Sequence, residues 1–282
     1  MKMYNALTID VEDYYMVSAF SDTVKFADWH KYESRVEENT RRLLDLLGQH
    51  GIRATFFVLG WVAERCPRIV SSIHSAGHEV ASHGYSHRLA YDMTPDEFRD
   101  DVLRSKAVLE DITGVRIAGY RAASYSITGK SLWALDVLIE EGFLYDSSIF
   151  PVRHDRYGLP GANRFPHVIK GKKGSIMEFP PSTCRILGQN IPVAGGGYFR
   201  LFPLSVTRAA FRRLNAVEKK YAIFYVHPWE IDTGQPRLKG KLRSRFRHYV
   251  NISGTLPKLR LIFSEFKFKP LGEFLDAKFL DA

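Results

Sequence analysis

Residues 7–15 read LTIDVEDYY, an apolar run that passes into three acidic side chains. Such a run predicts a buried strand that carries carboxylates to its C-terminal end. In parallel α/β barrels the functional groups gather at that end, because the C-terminal ends of all the strands lie on one face. This segment therefore predicts both the class of the fold and the position of a site.

A second segment, residues 82–87, reads SHGYSH. His83 and His87 are four residues apart, so both imidazoles can point at one metal ion from the same side of a backbone turn. Two imidazoles are too few to hold a divalent metal, and at least one carboxylate should join them. The acids of residues 10–13 are the candidates, and coordination positions would be left for water and substrate.

Apolar runs alternate with helical patterns through the first half of the chain, which is typical of βαβ units and a parallel sheet. Strands are predicted at residues 4–9, 53–59, 78–81, 115–119, 143–146 and 222–226. Asn39 is a candidate N-cap for a leucine-rich helix, and residues 94–97 form a capping box with proline at the first helical position.

Polar residues recur at the ends of these predicted strands. A lone arginine is usually a surface or structural residue, but several polar clusters at equivalent strand ends indicate an active site at one end of a barrel. The clusters are residues 10–13, His83 with His87, Arg121, Asp146 and His227.

The length of 282 residues and the 45% hydrophobic content fit one globular domain. We expect a core barrel at residues 1–150 and 220–230, a loop-rich cover at 150–200 and a C-terminal extension at 231–282. The chain starts MKMYN and enters its first strand without a signal-peptide pattern, and no stretch reaches transmembrane length. We therefore expect a cytoplasmic protein.

The net charge of +9 is concentrated at residues 237–247, where six arginines and lysines alternate with other residues. This stretch is either a solvated surface or a contact for anionic lipid at the inner face of the membrane. Aromatic side chains do not interleave with these charges as in a single-strand binding groove, and nucleic-acid-binding motifs are absent from the sequence. Nucleic acid is therefore not an expected partner.

Five short motifs resemble those of the polysaccharide deacetylases, also called NodB-type or family-4 carbohydrate esterases. They are TID at residues 8–10, HGYSH at 83–87, RAASY at 121–125, DSSIF at 146–150 and YVH at 225–227. The longer phrases DVEDYY, GGGYFR, HPWEID and SRFRHY are similar to a subgroup found with exopolysaccharide and exosortase gene clusters, which carries its own C-terminal extension.

The resemblance implies a deformed (β/α) barrel that removes N-acetyl groups from N-acetylhexosamine units of an exopolysaccharide or its lipid-linked precursor. Asp10 would be the general base, and Arg121 would keep it ionised and oriented. His227 would be the general acid, with Asp146 orienting its ring. The backbone amide of Ser124 or Tyr125 would stabilise the oxyanion.

The same resemblance implies a divalent metal, zinc in the first place, with cobalt, manganese and nickel as alternatives. His83 and His87 would be two ligands. Glu12 is favoured over Asp13 as the third, because side chains alternate along a strand and Glu12 shares a face with Asp10. A bulge at the strand end would reverse that choice.

Aromatic residues near the barrel mouth are candidates for stacking on sugar rings, with burial in the core as the equal alternative. They are Tyr198, Trp229 and Tyr125. Two other functions stay open: a metal-independent amidase acting on a small amide, and a non-catalytic polysaccharide-binding protein. The acid and base residues argue against the latter, since binding alone needs neither.

Overall fold

The computed structural model describes residues 3–275. Its first strand, β1 (Tyr4–Val11), is buried from its second residue to its last. This burial is typical of a parallel sheet that is covered on both faces. β1 pairs in parallel with β2 (Thr55–Val58), β10 (Ile223–Val226) and β11 (Lys267–Lys269), so it lies at the centre of the molecule.

The other strands are β3 (Glu79–Ser82), β4 (Gly119–Tyr120), β5 (Tyr145–Asp146), β6 (His167–Lys170), β7 (Ser175–Glu178), β8 (Thr183–Ile186) and β9 (Gln189–Pro192). The main sheet runs in the order β10-β1-β2-β3-β4-β5-β7-β6, with β11 on β1. Only β6 and β7 are antiparallel neighbours in this order, and β8 and β9 form a separate hairpin. The predicted α/β class with a parallel sheet is confirmed.

The helices are α1 (Val36–Gln49), α2 (Gly60–Arg65), α3 (Pro67–Ser75), α4 (Pro95–Thr113), α5 (Trp133–Glu140), α6 (Gly196–Leu201), α7 (Leu204–Arg212), α8 (Leu242–Tyr249) and α9 (Thr255–Glu265). Helix α4 begins at the predicted capping box, in which Thr94 and Glu97 exchange hydrogen bonds. The predicted cap at Asn39 is wrong, because α1 begins at Val36 and its first amides donate to a distant carboxylate, that of Asp13.

Two predicted strands are shorter than expected. The segments at 115–119 and 143–146 contribute only the two-residue strands β4 and β5. After α9 and β11 the described chain ends in a 3-10 turn at Gly272–Phe274. The sequence of residues 256–282 predicts a helix, a short strand and a second helix; α9 and β11 match the first two, and residues 276–282 lie outside the described part of the chain.

The register of the sheet brings the ends of the strands together. Tyr120 of β4 pairs with Ser82 of β3 on one side and with Asp146 of β5 on the other. On β1, Ile9 pairs with Val226 and Asp10 with Phe57. The residues that follow these pairs therefore emerge at one edge of the sheet.

Within residues 3–275, none of the helices combines the length and the apolar character that crossing a membrane requires.

Candidate metal centre and active site

Three side chains that the sequence predicts as metal ligands converge at this edge. Glu12, His83 and His87 are buried, and each places one ligand atom within 4.8 Å of the others. Glu12 follows β1, while both histidines follow β3. Their imidazole centroids are 5.3 Å apart, so the two rings converge as the spacing of four predicted.

The turn between the two histidines is fixed by helix α4. Asp101 accepts hydrogen bonds from the amide of Tyr85 at 2.7 Å and from the amide of Ser86 at 3.1 Å. Gly84 has φ +74°, and a Cβ there would lie 2.7 Å from an Asp101 carboxylate oxygen. Glycine is therefore required at this position for both its backbone angle and its small size.

His83 is held in the form that binds metal. Its Nδ1 lies 2.7 Å from the carbonyl oxygen of Arg121, so Nδ1 carries the hydrogen and Nε2 keeps its lone pair for a ligand. Burial lowers the pKa of His83 to about 4. The ring is therefore neutral at physiological pH.

Glu12 supplies the negative charge of the trio. Burial alone would raise its pKa, but the imidazoles of His87 and His227 hold that pKa well below its usual range. Trp229 Nε1 donates to Oε1 at 3.1 Å. The other oxygen, Oε2, is buried and lies 2.8 Å from His87 Nε2.

This donor set fits a divalent transition metal. It offers two imidazole nitrogens and a carboxylate oxygen within 4.8 Å of one another, which is the three-ligand arrangement of catalytic zinc sites.

Asp10 lies beside the trio and is held by Arg121. Arg121 Nη1 donates to Asp10 Oδ1 at 2.6 Å and to Thr8 Oγ1 at 2.7 Å. Its other nitrogens donate to the carbonyl and hydroxyl of Ser147. Because every edge of the buried guanidinium has an acceptor, Arg121 is rigid and fixes the orientation of Asp10.

His227 faces Asp10 across the site. Its Nε2 lies 3.8 Å from Asp10 Oδ2 and 3.4 Å from Glu12 Oε1. Its Nδ1 lies 2.5 Å from Glu230 Oε1. Burial lowers the pKa of His227, but the carboxylates of Glu230, Glu12 and Asp10 outweigh it and raise the pKa to about 9.

The predicted partner of His227 was wrong. Asp146 accepts hydrogen bonds from the hydroxyl and amide of Ser148 and faces Glu178, whereas Glu230 takes the position at His227 Nδ1. Burial raises the pKa of Asp146 and, more strongly, that of Glu178, whose carboxyl group faces it. The side chain of Ser148 in turn accepts from the Ala122 amide, so Asp146 supports the loop that carries the predicted oxyanion donors.

That loop distinguishes the two predicted oxyanion donors. The Tyr125 amide donates to the Ala122 carbonyl at 3.1 Å, so it is already used. Ser124 has left-handed φ and ψ of 50° and 30°, and its hydroxyl shares a 2.7 Å hydrogen bond with Ser18. The Ser124 amide stays the predicted donor.

Asp13, the alternative ligand, is used elsewhere. Its Oδ2 accepts hydrogen bonds from the Ser34 hydroxyl at 3.0 Å, the Arg35 amide at 2.7 Å and the Val36 amide at 3.0 Å. These bonds hold the N-terminus of α1 against the end of β1.

Of the three predicted sugar-stacking residues, Tyr125 is buried against the rings of Phe150, Tyr157 and Tyr225. The other two lie in different environments. Trp229 is only 4% exposed and stacks on the rings of His227 and His248, so its ring surface is already covered. This packing argues against the predicted role in sugar stacking. Tyr198, on α6, lines the cavity and stays a candidate for that role.

The predicted ligands, base and acid share one cavity. Its volume is about 510 Å³, and its lining includes Asp10, Glu12, His83, His87 and His227.

Our sequence reasoning missed Glu230, although a carboxylate three residues after a histidine is a detectable signal when a 3-10 turn follows the strand. The turn at Pro228–Ile231 is of that kind.

Comparison with known proteins divides the chain in two. Residues 21–138 match the polysaccharide deacetylase family, and residues 147–276 match a domain of unknown function (DUF3473). The peptidoglycan-N-acetylglucosamine deacetylase of Bacillus cereus is 40% identical over 83 residues, 29% of this chain and 28% of that protein. The peptidoglycan deacetylase of Helicobacter pylori is 34% identical over 152 residues, 49% of this chain and 51% of that protein.

The chain thus spans about half or less of the length of these curated relatives. The chitooligosaccharide deacetylase of a Bradyrhizobium species is 32% identical over 99 residues, 35% of this chain and 43% of that protein. These matches confirm the resemblance predicted from the motifs.

Among solved structures, a Mycobacterium smegmatis protein assigned to the polysaccharide deacetylases has a TM-score of 0.60 at 23% identity, covering 94% of this chain and 85% of that one. The allantoinase PuuE has a TM-score of 0.57 at 17% identity, with the same coverage. Identities this low show a common fold alone, so the chemistry must be argued from the site.

Proposed function

Because residues 21–138 carry a polysaccharide deacetylase domain, we propose that the chain is a metal-dependent hydrolase that removes N-acetyl groups from N-acetylhexosamine units. We propose an exopolysaccharide, or its lipid-linked precursor, as the substrate. One observation carries this proposal: a single cavity is lined both by Glu12, His83 and His87 and by Asp10 and His227. The relatives named as peptidoglycan and chitooligosaccharide deacetylases support an N-acetylated saccharide as the partner.

We propose that Glu12, His83 and His87 hold the metal. Zinc is the first choice for two imidazoles and a carboxylate, with cobalt, manganese or nickel as alternatives. When bound, such an ion polarises the amide carbonyl and stabilises the charge that develops on its oxygen.

Asp10 is positioned to take a proton from the attacking water. Its Oδ1 is occupied by Arg121, and its Oδ2 faces His227 across a gap of 3.8 Å. The free oxygen is therefore the one that can act as the base. Arg121 prevents the carboxylate from rotating, which keeps this oxygen in place throughout the reaction.

His227 is positioned to give a proton to the departing amine. Glu230 at Nδ1 keeps the ring protonated, so Nε2 carries a transferable hydrogen. The backbone amide of Ser124 would donate to the carbonyl oxygen as it becomes an oxyanion. Base and acid thus act from opposite sides of one amide carbon.

The test is acetate release by the purified protein from a panel of N-acetylated oligosaccharides, with metal-stripped protein as the control. We expect release to stop on stripping and to return with one of the four metals. Release that ignores stripping would instead support a metal-independent amidase. Saturable saccharide binding without any acetate would support a non-catalytic binding protein.

The cytoplasmic location expected from the N-terminal sequence stays a prediction, as do the single-domain boundaries. Contact with anionic lipid through the basic residues 237–247 is likewise a proposal. Its support is the concentration of positive charge in that segment.

A further inference from the structure

The outer wall of the cavity is positively charged. Arg156 and, from α8, Arg243 and Arg247 line it. Arg243 Nη1 and Arg247 Nη1 lie 3.2 and 3.4 Å from the two carboxylate oxygens of Asp155. The two guanidinium groups are therefore close enough to share one anion, and three arginines against one aspartate leave this wall positive.

Apolar side chains lie next to these arginines in solvent. Leu242 is 80% exposed and Phe246 is 61% exposed. They are four residues apart on α8 and so share a helix face. Leu201 is 50% exposed, and both it and Phe246 line the cavity. Adjacent exposed apolar groups beside a functional cavity usually mark a binding surface.

The side chains change in character from the floor of the cavity to its rim. Asp10 and His83 at the floor are buried. The side chains of Arg247 and Arg243 are 39% and 69% exposed, and Leu242 is the most exposed of the set. The proposed catalytic groups therefore lie at the floor, and cations and apolar groups lie side by side at the rim.

Cations and apolar groups side by side at the rim of this cavity fit one class of molecule. We propose that the sugar is presented on a phosphorylated lipid, whose phosphate binds Arg243, Arg247 and Arg156 and whose first carbons lie on Phe246, Leu242 and Leu201. The inference rests on the proposed deacetylase function and names its substrate class. A neutral glycan would use neither feature, whereas guanidinium pairs match phosphate oxygens in geometry and charge.

The phosphate and the lipid take no part in the chemistry. No bond to either is made or broken, and their binding holds the sugar over Asp10 and His227. Binding energy from such remote groups of a substrate lowers the barrier when it fixes the reacting group in position.

The experiment compares three soluble substrates that carry the same N-acetylhexosamine: a methyl glycoside, a methyl phosphodiester and a short-prenyl phosphodiester, all below micelle concentration. We expect kcat/KM for acetate release to rise about tenfold from the first to the second and about tenfold again to the third. Because binding of these groups also fixes the amide in position, the gain should appear in kcat as well as in KM.

Paired variants assign each gain to its residues. Arg243→Gln with Arg247→Gln should reduce the ratio of phosphodiester to methyl glycoside activity to about one, and Leu242→Ser with Phe246→Ser should do the same for the prenyl gain. Arg245→Gln is the matched control on the same helix, because Arg245 is exposed but does not line the cavity. Val217→Ser is the apolar control, since Val217 is 73% exposed.

Equal kcat/KM on the three substrates, or gains that persist in the paired variants, would overturn the inference. An equal gain in kcat/KM for a uronic-acid oligosaccharide would also overturn it, because the site would then recognise negative charge alone and not a phosphorylated lipid. A protein that releases acetate from none of these substrates, the neutral glycoside included, would overturn the proposed deacetylase function itself.

Discussion

The two regions of the chain on either side of residue 147 contribute to the cavity in different ways. The first supplies Glu12, His83 and His87, which follow β1 and β3, and Asp10 on β1 itself. The second supplies His227 and the groups around it, and these depend on contacts between distant segments. In the N-terminal region the site residues therefore belong to short sequence motifs. In the C-terminal region they are held in place by packing between distant segments.

Arg200 illustrates the second case. Its guanidinium donates to the backbone carbonyls of Arg247, His248 and Val250, and its Nε lies 3.5 Å from Glu230 Oε2. Glu230 in turn holds His227. The C-terminal segment thus reaches the proposed acid through two buried side chains, which gives residues 147–275 a role in the site.

The largest effect should come from the N-terminal region. Asp10→Asn keeps the shape of the side chain but removes the proposed base, and we expect kcat to fall about 10³-fold or more. Acetate release measures it, with bound metal and circular dichroism as controls for site and fold. Full turnover by this variant would remove Asp10 from the mechanism.

Much of this first region could be predicted from the sequence, for physical reasons. The period of two along β1 puts Asp10 and Glu12 on one face, and the spacing of His83 and His87 lets one turn carry both rings. Such local rules do not depend on the rest of the fold. They predicted the strands, the α4 capping box and the four residues Asp10, Glu12, His83 and His87 that line the cavity.

The next largest effect should come from the C-terminal region. Glu230→Gln removes the charge that counteracts burial at His227, so its pKa should fall and the ring should lose its proton at lower pH. Since a general acid must be protonated, activity should decline at lower pH than in the parent, with kcat at neutral pH reduced about 10²-fold. The pH–rate profile measures both changes.

Asp146→Asn is the matched control for that experiment. Asp146 bonds Ser148 and faces Glu178 rather than His227, so its loss should reduce activity through the loop without moving the alkaline limb of the profile. A limb that moves with Asp146→Asn and not with Glu230→Gln would restore the pairing first predicted.

A smaller effect should show that a residue of the C-terminal region affects zinc binding by the N-terminal region. Trp229 Nε1 donates to Glu12 Oε1, so Trp229→Phe removes a hydrogen bond that orients a metal ligand. We expect zinc affinity to fall about tenfold, the lower end for such outer contacts. Competition with a chelator measures it. Trp133→Phe is the control, because Trp133 packs on Phe98 in the helical layer, and an equal loss there would contradict the assignment.

Apart from Glu230, which is only three residues from His227, the features that the sequence did not reveal depend on long-range contacts. Asp13 and Asp146 are acidic residues like the proposed base and the proposed metal ligand, and only the folded chain shows that one holds α1 and the other faces Glu178. Trp229 was expected to contact sugar because it is aromatic and near the mouth. The rings that cover it are those of His227 and His248, and no local sequence pattern predicts the contact with His248.

The smallest effect should appear in stability. Asp13 accepts the Tyr14 amide on Oδ1 and three donors on Oδ2. Asparagine keeps one acceptor oxygen and turns the other position into a donor, so Asp13→Asn must leave one set of amides unpaired. We expect the free energy of unfolding to fall by about 1 kcal/mol, as for the loss of a helix cap. Urea unfolding of metal-free protein measures it, because bound metal would add its own stabilisation.

Asp45→Asn is the control for Asp13→Asn, since Asp45 is an exposed residue of α1, the helix whose N-terminus Asp13 holds. This substitution should leave the free energy of unfolding unchanged within error. Bound zinc in Asp13→Asn should equal that of the parent, whereas Glu12→Gln should lose zinc while α1 stays capped. These neighbouring residues then separate the two functions of the strand end. A zinc loss in Asp13→Asn larger than in Glu12→Gln would make Asp13 the ligand and reverse the choice between them.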